Sequence, residues 1–389
     1  MANVGGMQRV ALKLHESLDA KAARGTTLTY DTVLLRSAWK TLHAKVPFFL
    51  GRAAWRIARA VWRDEVDVVL FSSMVTAALA VPLRGLLRRN GVQTAAIVHG
   101  LDVTTPFPPY QWFVPKVFGA LDAILPVSRA TRKACLERGA SSDQICVVPN
   151  GIDVDRFREP KNRPQARSIL EDSFDAPAPA PPPDGLLLCS VGRQVKRKGT
   201  AWFVEHVMPR LPTDVHYWIA GDGPQLSAIR TAVHRNGLQK RVRVLGRISN
   251  ENLARLYRGS DLFVMPNVPV EDDMEGFGIV LLEAGQCGTP AIAARLEGIQ
   301  DVITDGVNGD LVTPEDPAAF VEAIQQYRGT PEALDAASQR AMTHTEATFG
   351  WPAVAEKYLS TLRTLVAEGQ PPPSKTPVEV GAVPRASEA

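Results

Sequence analysis

Asp272-Asp-Met-Glu-Gly-Phe-Gly-Ile-Val-Leu-Leu-Glu-Ala-Gly-Gln-Cys-Gly-Thr289, followed by the apolar run Pro290 to Ala294, is the stretch on which the reading of this chain turns. Gly276-Phe277-Gly278 reads as a tight turn, and Ile279 to Ala284 as the first turns of a buried helix that ends near Gly288. A helix start beside Glu275 gathers unpaired N–H groups and the positive end of the helix dipole, so the place suits an anion such as a phosphate. Glu283 follows roughly two turns, or ~12 Å, further along the axis of a continuous helix. A carboxylate there reaches a sugar hydroxyl of the same ligand, while Glu275 meets whatever the phosphate carries at its other end. One elongated ligand, hydroxylated at both ends with phosphate between them, fits the arrangement: a sugar nucleotide. Taken singly, each acid reads as an ordinary solvated side chain. Their spacing around a glycine turn argues otherwise.

The segment resembles the Glu-x7-Glu signature of the retaining glycosyltransferases of family four, which have the GT-B fold: α/β, with two Rossmann-like domains facing a central cleft. The surrounding residues agree with it, notably Gly276-Phe277-Gly278, Glu283-Ala284, Gly288-Thr289-Pro290 and the later Asp305-Gly306-Val307-Asn308-Gly309. The resemblance runs over nearly the whole chain, from Gly5-Gly6 to the last helix. It implies a retaining, metal-independent hexosyltransferase without cofactor, moving a hexose from a UDP- or GDP-linked donor to a glycan, lipid-linked or small-molecule acceptor. Asp272-Asp273 looks like the metal-binding acid pair of the other glycosyltransferase fold, but in the GT-B class cations take the place of a metal. Two alternatives stay open: a GT-B isomerase that epimerises a nucleotide sugar, and a sugar-nucleotide-binding protein without activity.

The chain's 389 residues, 45% of them apolar, are too many for one ordinary domain and suit two of 150 to 200 residues. Cys135, Cys146, Cys189 and Cys287 lie far apart, with no spacing that suggests a metal site or a disulfide framework, which points to a reducing cytoplasm. No signal-peptide pattern is present. The longest uncharged run, Val68 to Leu83, is interrupted by Ser72-Ser73 and Pro82 and falls short of the ~20 residues a spanning helix needs. Charge is uneven: residues 1–160 hold 21 Lys and Arg against 13 Asp and Glu, the remainder 23 against 28. A basic first half suits a phosphorylated acceptor or an anionic lipid. No nucleic-acid module accompanies it.

That half alternates short β-rich runs with helical stretches, the pattern of a parallel, helix-covered sheet. Strands are expected at Val66 to Ser72, Thr94 to Val98, Ala123 to Val127 and Ile145 to Val148. The last three end at polar turns, His99-Gly100-Leu101-Asp102, Ser128-Arg129 and Pro149-Asn150-Gly151-Ile152-Asp153, which is where ligands bind in open parallel sheets. His99 resembles the family's histidine that contacts the transferred sugar near the acceptor, and Asp102 is carried with it on the acceptor side.

Arg158 to Asp184 reads as a Pro-rich linker or loop insertion, since Asp175-Ala-Pro-Ala-Pro-Ala-Pro-Pro-Pro183 lacks side chains for a core. Beyond it come expected strands at Leu186 to Val191, Val215 to Ala220 and Arg241 to Leu245. The turn Gly192-Arg-Gln-Val-Lys-Arg-Lys-Gly199 carries four cations that must be solvated or face an anion. Arg193 and Lys198 look like the pair that grips the donor pyrophosphate in the family. Lys196 and Arg197 fit no such role and read as solvated. Gly246-Arg247-Ile248 matches the family's base-pairing backbone, which reads the nucleotide through main chain rather than side chains. Gly6, in the first glycine turn, joins Glu275, Gly276, Phe277, Gly278 and Glu283 as a donor-side residue. The expected units are 1–157 on the acceptor side, 158–184 as linker, 185–348 binding the nucleotide sugar, 349–368 as a helix crossing back, and 369–389 as a disordered tail.

Two further expectations follow from the first half. Phe48, Trp55 and Trp62 recur every seven residues and form one helical stripe edged by Arg52, Arg56, Arg59 and Arg63. Leu50, Ala54, Ile57 and Val61 form the opposite, core-facing stripe. Exposed aromatics edged by arginine are the composition of an interfacial helix on anionic lipid, which would make Phe48 to Arg63 a peripheral contact with the inner face of the membrane. Only Met1-Ala2-Asn3-Val4 precede the glycine turn. The fold begins with a strand at that place, central in a sheet of order 3-2-1-4-5-6, so the native protein is expected to start upstream.

Overall fold

The computed structural model describes residues 6–24, 28–35, 42–154, 163–174, 182, 185–271 and 273–372. Met1 to Gly5, where the leading strand was sought, lie outside the described residues, as do Asp272, most of the Pro-rich run and the tail from 373.

In the first unit, α1 (Gly6–Ala22) and α2 (Leu42–Trp62) lead into β1 (Val68–Phe71), α3 (Met74–Ala77) and α4 (Ala80–Arg89). Then come β2 (Gln93–Val98), α5 (Gly100–Thr104), α6 (Pro108–Phe118), β3 (Ala123–Pro126) and α7 (Arg129–Leu136). The strands pair in parallel in the order β1-β2-β3, and among the described residues no strand pairs with β1 on its other side. Because side chains alternate along a strand, β2 feeds two cores. Ala96 and Val98 pack with Phe71, Val114, Val117 and Phe118, beneath α3 and α6. Ala95 and Ile97 pack with Val10, Leu14 and Leu18 of α1. Val61 of α2 meets Leu87 of α4 and Val92, so α2, α4 and α6 form one helical layer.

Ile145 to Val148 is not a strand. It runs beside β3, donating from Cys146 to Ile124 at 3.1 Å and from Val148 to Pro126 at 3.0 Å, with one parallel bridge at Ile145. Pro126 has no N–H to return the bond, so the ladder stops. The core stripe of α2 is also shifted: Ala53 and Val61 are buried, whereas Leu50, Ala54 and Ile57 are half-covered. Arg56 is drawn off the outer face by Asp31 at 2.5 Å.

Part of the expected linker is a helix, α8 (Arg163–Asp172), docked on the second unit. Leu170 is fully buried there, and Arg167 pairs with Asp261 and donates to the Gly185 carbonyl at 3.2 Å. The second unit then runs β4 (Leu187–Val191), α9 (Thr200–His206), β5 (His216–Ala220), α10 (Leu226–Arg235), β6 (Val242–Gly246) and α11 (Asn250–Gly259). It continues with β7 (Leu262–Met265), α12 (Ile279–Gln286), β8 (Ala291–Ala294), β9 (Gly309–Val312), α13 (Pro317–Gln325) and α14 (Pro331–Phe349). None of β7, β8 and β9 was among the expected strands, β8 having been read only as an apolar run. The sheet order is β6-β5-β4-β7-β8-β9, all parallel. Its order reverses between β4 and β7, and a crevice opens outside their carboxyl ends.

The last helix, α15 (Trp351–Glu368), returns to the first unit. It packs on α1 and β2, placing Val354, Tyr358 and Leu362 in the core that holds Leu14 and Ile97. Gly151 admits it: a Cβ there would lie 2.6 Å from the Trp351 ring. The Ile152 N–H donates to the Phe349 carbonyl at 2.7 Å, and Lys21 pairs with Glu356 at 2.7 Å.

Candidate active site

The loops at the reversal point converge on Glu275. Between β4 and α9 the chain passes Gly192, Arg193 and a 3-10 turn, Lys196 to Lys198, to Gly199. Gly199 sits at φ +65, and a Cβ there would fall 1.8 Å from the Pro266 carbonyl oxygen. Only glycine lets this loop press against the end of β7, which brings Arg197 and Lys198 onto the loop after it. Glu275 is 8% exposed, and one of its oxygens, Oε2, accepts from Arg197 Nη1, from Lys198 Nζ and, at 3.3 Å, from Asn267 Nδ2. Burial opposes ionisation of Glu275, but Lys198 and Arg197 outweigh it and hold the carboxyl below its ordinary range.

Arg197 therefore departs from expectation. Rather than solvated, its side chain is 16% exposed, and its Nε donates to Asp273 at 2.8 Å while Nη1 serves Glu275. In a 3-10 turn neighbouring side chains fan out a third of a turn apart; Lys196 points to solvent and the next two cations face the acids. Arg193 is exposed in the same loop, and a Cβ on the preceding Gly192 would lie 3.6 Å from Lys198 Cε.

The backbone of Glu275 is fixed by a residue the sequence reading passed over. Its N–H donates to the Glu297 carboxylate, and its carbonyl accepts from the Gly298 N–H at 3.1 Å. Glu297 holds φ +47, a left-handed conformation costly for any residue but glycine. Burial pushes its carboxyl up. From there Gly276-Phe277-Gly278 leads into α12: Gly278 is its N-cap at φ +86, and Phe277 is buried against Phe349. Glu283 lies on the buried side of this helix, accepting from the Tyr257 hydroxyl at 3.0 Å. Gly246, at φ +66, ends β6 and accepts from Gly221 at 2.6 Å, with Arg247 exposed and Ile248 half-buried beyond it. Gly6 opens α1 in the first unit.

Across the crevice stands the turn after β2. His99 is 7% exposed; its ring bonds the Ser72 backbone, and Nε2, itself buried, has no hydrogen-bond partner. Burial lowers its pKa to about 4, so at neutral pH the ring is uncharged. Asp102 faces inward instead of toward the crevice, accepting from the Met74 and His99 N–H groups at 3.4 and 3.5 Å. Its role is to hold the turn, and burial raises its pKa to about 6. The two walls nearly touch here, since a Cβ on Gly100 would lie 3.0 Å from the Gly276 Cα. A second bridge spans the crevice nearby. Arg129 Nε meets Asp301 at 2.7 Å, and its N–H meets the other carboxylate oxygen at 3.0 Å.

A buried carboxylate crowned by two cations at a helix start, facing a neutral histidine across a narrow crevice, can hold a diphosphate and the sugar attached to it. Comparison with known proteins shows the family. Residues 4–156 match the family described as Glycosyltransferase Family 4, and residues 185–328 match Glycosyl transferases group 1. A D-inositol 3-phosphate glycosyltransferase of Xylanimonas cellulosilytica is 31% identical over 361 residues, covering 88% of this chain and 78% of that protein. The chain belongs to glycosyltransferase family 4.

Another family-4 relative, from Mycolicibacterium smegmatis, is described as a GDP-mannose-dependent alpha-(1-6)-phosphatidylinositol monomannoside mannosyltransferase. It is 27% identical, with 78% of each chain covered. The fold is that of solved GT-B enzymes. Anabaena HepE in complex with UDP-glucose has a TM-score of 0.66 at 17% identity, covering 94% of this chain and 98% of that one. Sucrose-phosphate synthase from Thermosynechococcus elongatus has a TM-score of 0.67 at 22% identity, covering 94% and 95%. As a family-4 enzyme of the GT-B fold, the protein is a retaining glycosyltransferase that moves a hexose from a nucleotide sugar to an acceptor.

Proposed function

We propose that the crevice takes a UDP- or GDP-linked hexose with its pyrophosphate between Arg193, Lys198 and the start of α12, and with the hexose between Glu275 and His99. The observation that carries this reading is Glu275, buried, ionised and already bonded by Lys198, opposite an unpartnered histidine nitrogen. As the bond from the anomeric carbon to the pyrophosphate lengthens, negative charge grows on the leaving oxygen and positive charge on the sugar. Arg193, Lys198 and the helix start neutralise the first, and the Glu275 carboxylate faces the second while binding sugar hydroxyls. Neutral His99 donates to or accepts from the hexose on the acceptor side. Gly246 to Ile248 offer main chain to the base, and Glu283, at the far side of α12, reaches the ribose. The relatives favour an acceptor built on inositol, either free as a phosphate or carried on lipid.

A lipid-borne acceptor agrees with the outer face of the first unit. Phe48, Trp55 and Trp62 of α2 are 83%, 58% and 72% exposed, and Trp112 of α6, with Lys116 stacked on its ring, is 68% exposed. Arg52 and Arg59 lie along α2 with Arg63 just past its end, and Arg84, Arg88 and Arg89 are exposed on α4 between the two aromatic helices. Among the described residues no helix is long and apolar enough to cross a membrane, so this reading is of a peripheral contact.

Incubation with UDP-, GDP- and ADP-linked glucose and mannose, each with and without inositol 3-phosphate or phosphatidylinositol, tests the transfer reading. Nucleoside diphosphate release that requires an acceptor is expected; an altered sugar without release would identify an epimerase instead. Sedimentation with anionic and with neutral vesicles tests the surface. Equal binding to both would end the membrane reading.

A further inference from the structure

Lys198 stands between two anions. Its ammonium sits on Glu275 Oε2, and the donor pyrophosphate asks for the same ammonium. If Lys198 were the sole cation on Glu275, donor binding would strip a nearly buried carboxylate of its counter-ion, and the carboxylate would respond by taking up a proton. We propose that Arg197 is the resident counter-ion of Glu275, keeping that carboxylate ionised and aimed while Lys198 is drawn onto the donor. The inference rests on the reading that Lys198 holds the pyrophosphate.

The geometry separates the two cations. Among the described residues Lys198 is bonded to one acid, through a flexible stem. Arg197 is tied at three points: Nη1 to Glu275, Nε to Asp273 at 2.8 Å, and its own carbonyl to the Val268 N–H at 2.9 Å. A planar guanidinium that never loses its proton suits a fixed pair better than an ammonium that can be exchanged. Among the described residues the other groups facing Glu275 offer no substitute. Asn267 is neutral, Asp273 and Glu297 are acids, and Gly100, on the opposite wall, brings only backbone against the neighbouring Gly276. Arg197 is thus a positioning residue, acting on the sugar through Glu275.

Proton uptake on donor binding distinguishes this role from a merely structural one. UDP-glucose and GDP-mannose are suitable probes because their diphosphates have no ionisation near neutral pH. Their binding is followed by calorimetry at pH 6.5 in buffers of differing ionisation enthalpy. Wild type and Arg197→Lys are expected to bind with no net proton uptake, and Arg197→Gln with uptake approaching one proton per site. Asp273→Asn, which loosens the guanidinium without removing it, is expected to fall between them and serves as the readout if Arg197→Gln does not fold. Binding by the variants with the wild-type proton count would overturn the Arg197 assignment alone. Loss of donor binding in Arg197→Gln with the fold intact would also overturn it, by making Arg197 a pyrophosphate ligand. A wild-type protein that binds neither nucleotide sugar would instead defeat the donor-site reading on which the inference stands.

Discussion

The two walls of the crevice are built on opposite electrostatic plans. On the second unit's wall, Arg197, Lys198, Asp273, Glu275 and Glu297 form one connected set, Arg197 joining Asp273 to Glu275 and Glu275 meeting Lys198 and, through its N–H, Glu297. On the first unit's wall, the turn after β2 presents an uncharged imidazole and a glycine, and its one acid, Asp102, is turned away into the backbone. The difference teaches where charge changes during the reaction. On the reading proposed above, the wall that meets the leaving pyrophosphate carries the cations, while the turn after β2 on the acceptor side presents no full charge, the first unit's charged contact across the crevice being Arg129 to Asp301.

The sharpest way to break the contrast is to discharge the second wall. Arg193→Ala and Lys198→Ala should each lose ten- to a hundredfold in transfer, as expected for a charge-assisted hydrogen bond of about 1.5–3 kcal/mol. Their melting temperatures should stay near wild type. Wild-type activity in both variants at saturating donor would remove these residues from the site.

The neutrality of the first wall is open to a pH test. Burial holds His99 at about 4, below the 6.5 of a free histidine, so unfolding takes up a proton between those values. The stability concerned is fully present above pH 6.5 and is lost as pH falls toward 4. Between pH 7 and pH 5 the wild type should therefore lose about 2 kcal/mol that His99→Gln does not. Asp102 is present in both proteins and drops out of the difference. Denaturant titrations at the two pH values measure it, and identical losses would show that His99 takes up its proton as readily in the folded state as in the unfolded one.

Smaller effects are expected where the walls only touch. Gly100→Ala puts a methyl group 3.0 Å from the Gly276 Cα, and should lower kcat/KM by about tenfold, since crowding of this kind costs on the order of 1–3 kcal/mol. Steady-state kinetics would settle it, and a wild-type value would mean that the walls part in the working enzyme. Smallest of all, Asp301→Asn removes a pair in which Arg129 is 51% exposed, so the change should stay within about fivefold, as partly solvated pairs contribute ~1 kcal/mol or less. High salt should then affect the wild type more than the variant.

The same contrast explains what was legible in the sequence. Glu275, Lys198 and His99 sit at strand ends beside glycine turns, where pattern and chemistry coincide, and the parallel α/β frame could be read from alternating apolar runs. Arg197 could not be placed, because four neighbouring cations read as a solvated loop unless the acids they meet are known. Asp273 and Glu275 arrive from the far side of β7, a strand of four residues too short to stand out by itself. Glu297 was hidden for another reason: its conformation contradicts its own propensity and exists only because the surrounding turn imposes it. The strand expected at Ile145 to Val148 failed on one residue, Pro126, in its neighbour. The inward turn of Asp102 onto the Met74 and His99 N–H groups was not legible either, because a side chain's direction is not contained in its position along the chain.

The return of α15 to the first unit has a consequence for how the protein is made. Its residues complete the core under α1 and β2, and the Ile152 backbone closes on Phe349 and Trp351. On the ribosome, the first sheet emerges some two hundred residues before the helix that covers it, a delay of about 10–40 s at ordinary synthesis rates. During that interval the nascent chain carries an exposed apolar face between Leu14 and Ile97. The two halves of the molecule are therefore separate in architecture but joined in biogenesis, and the first unit reaches its native state only after the second has been synthesised.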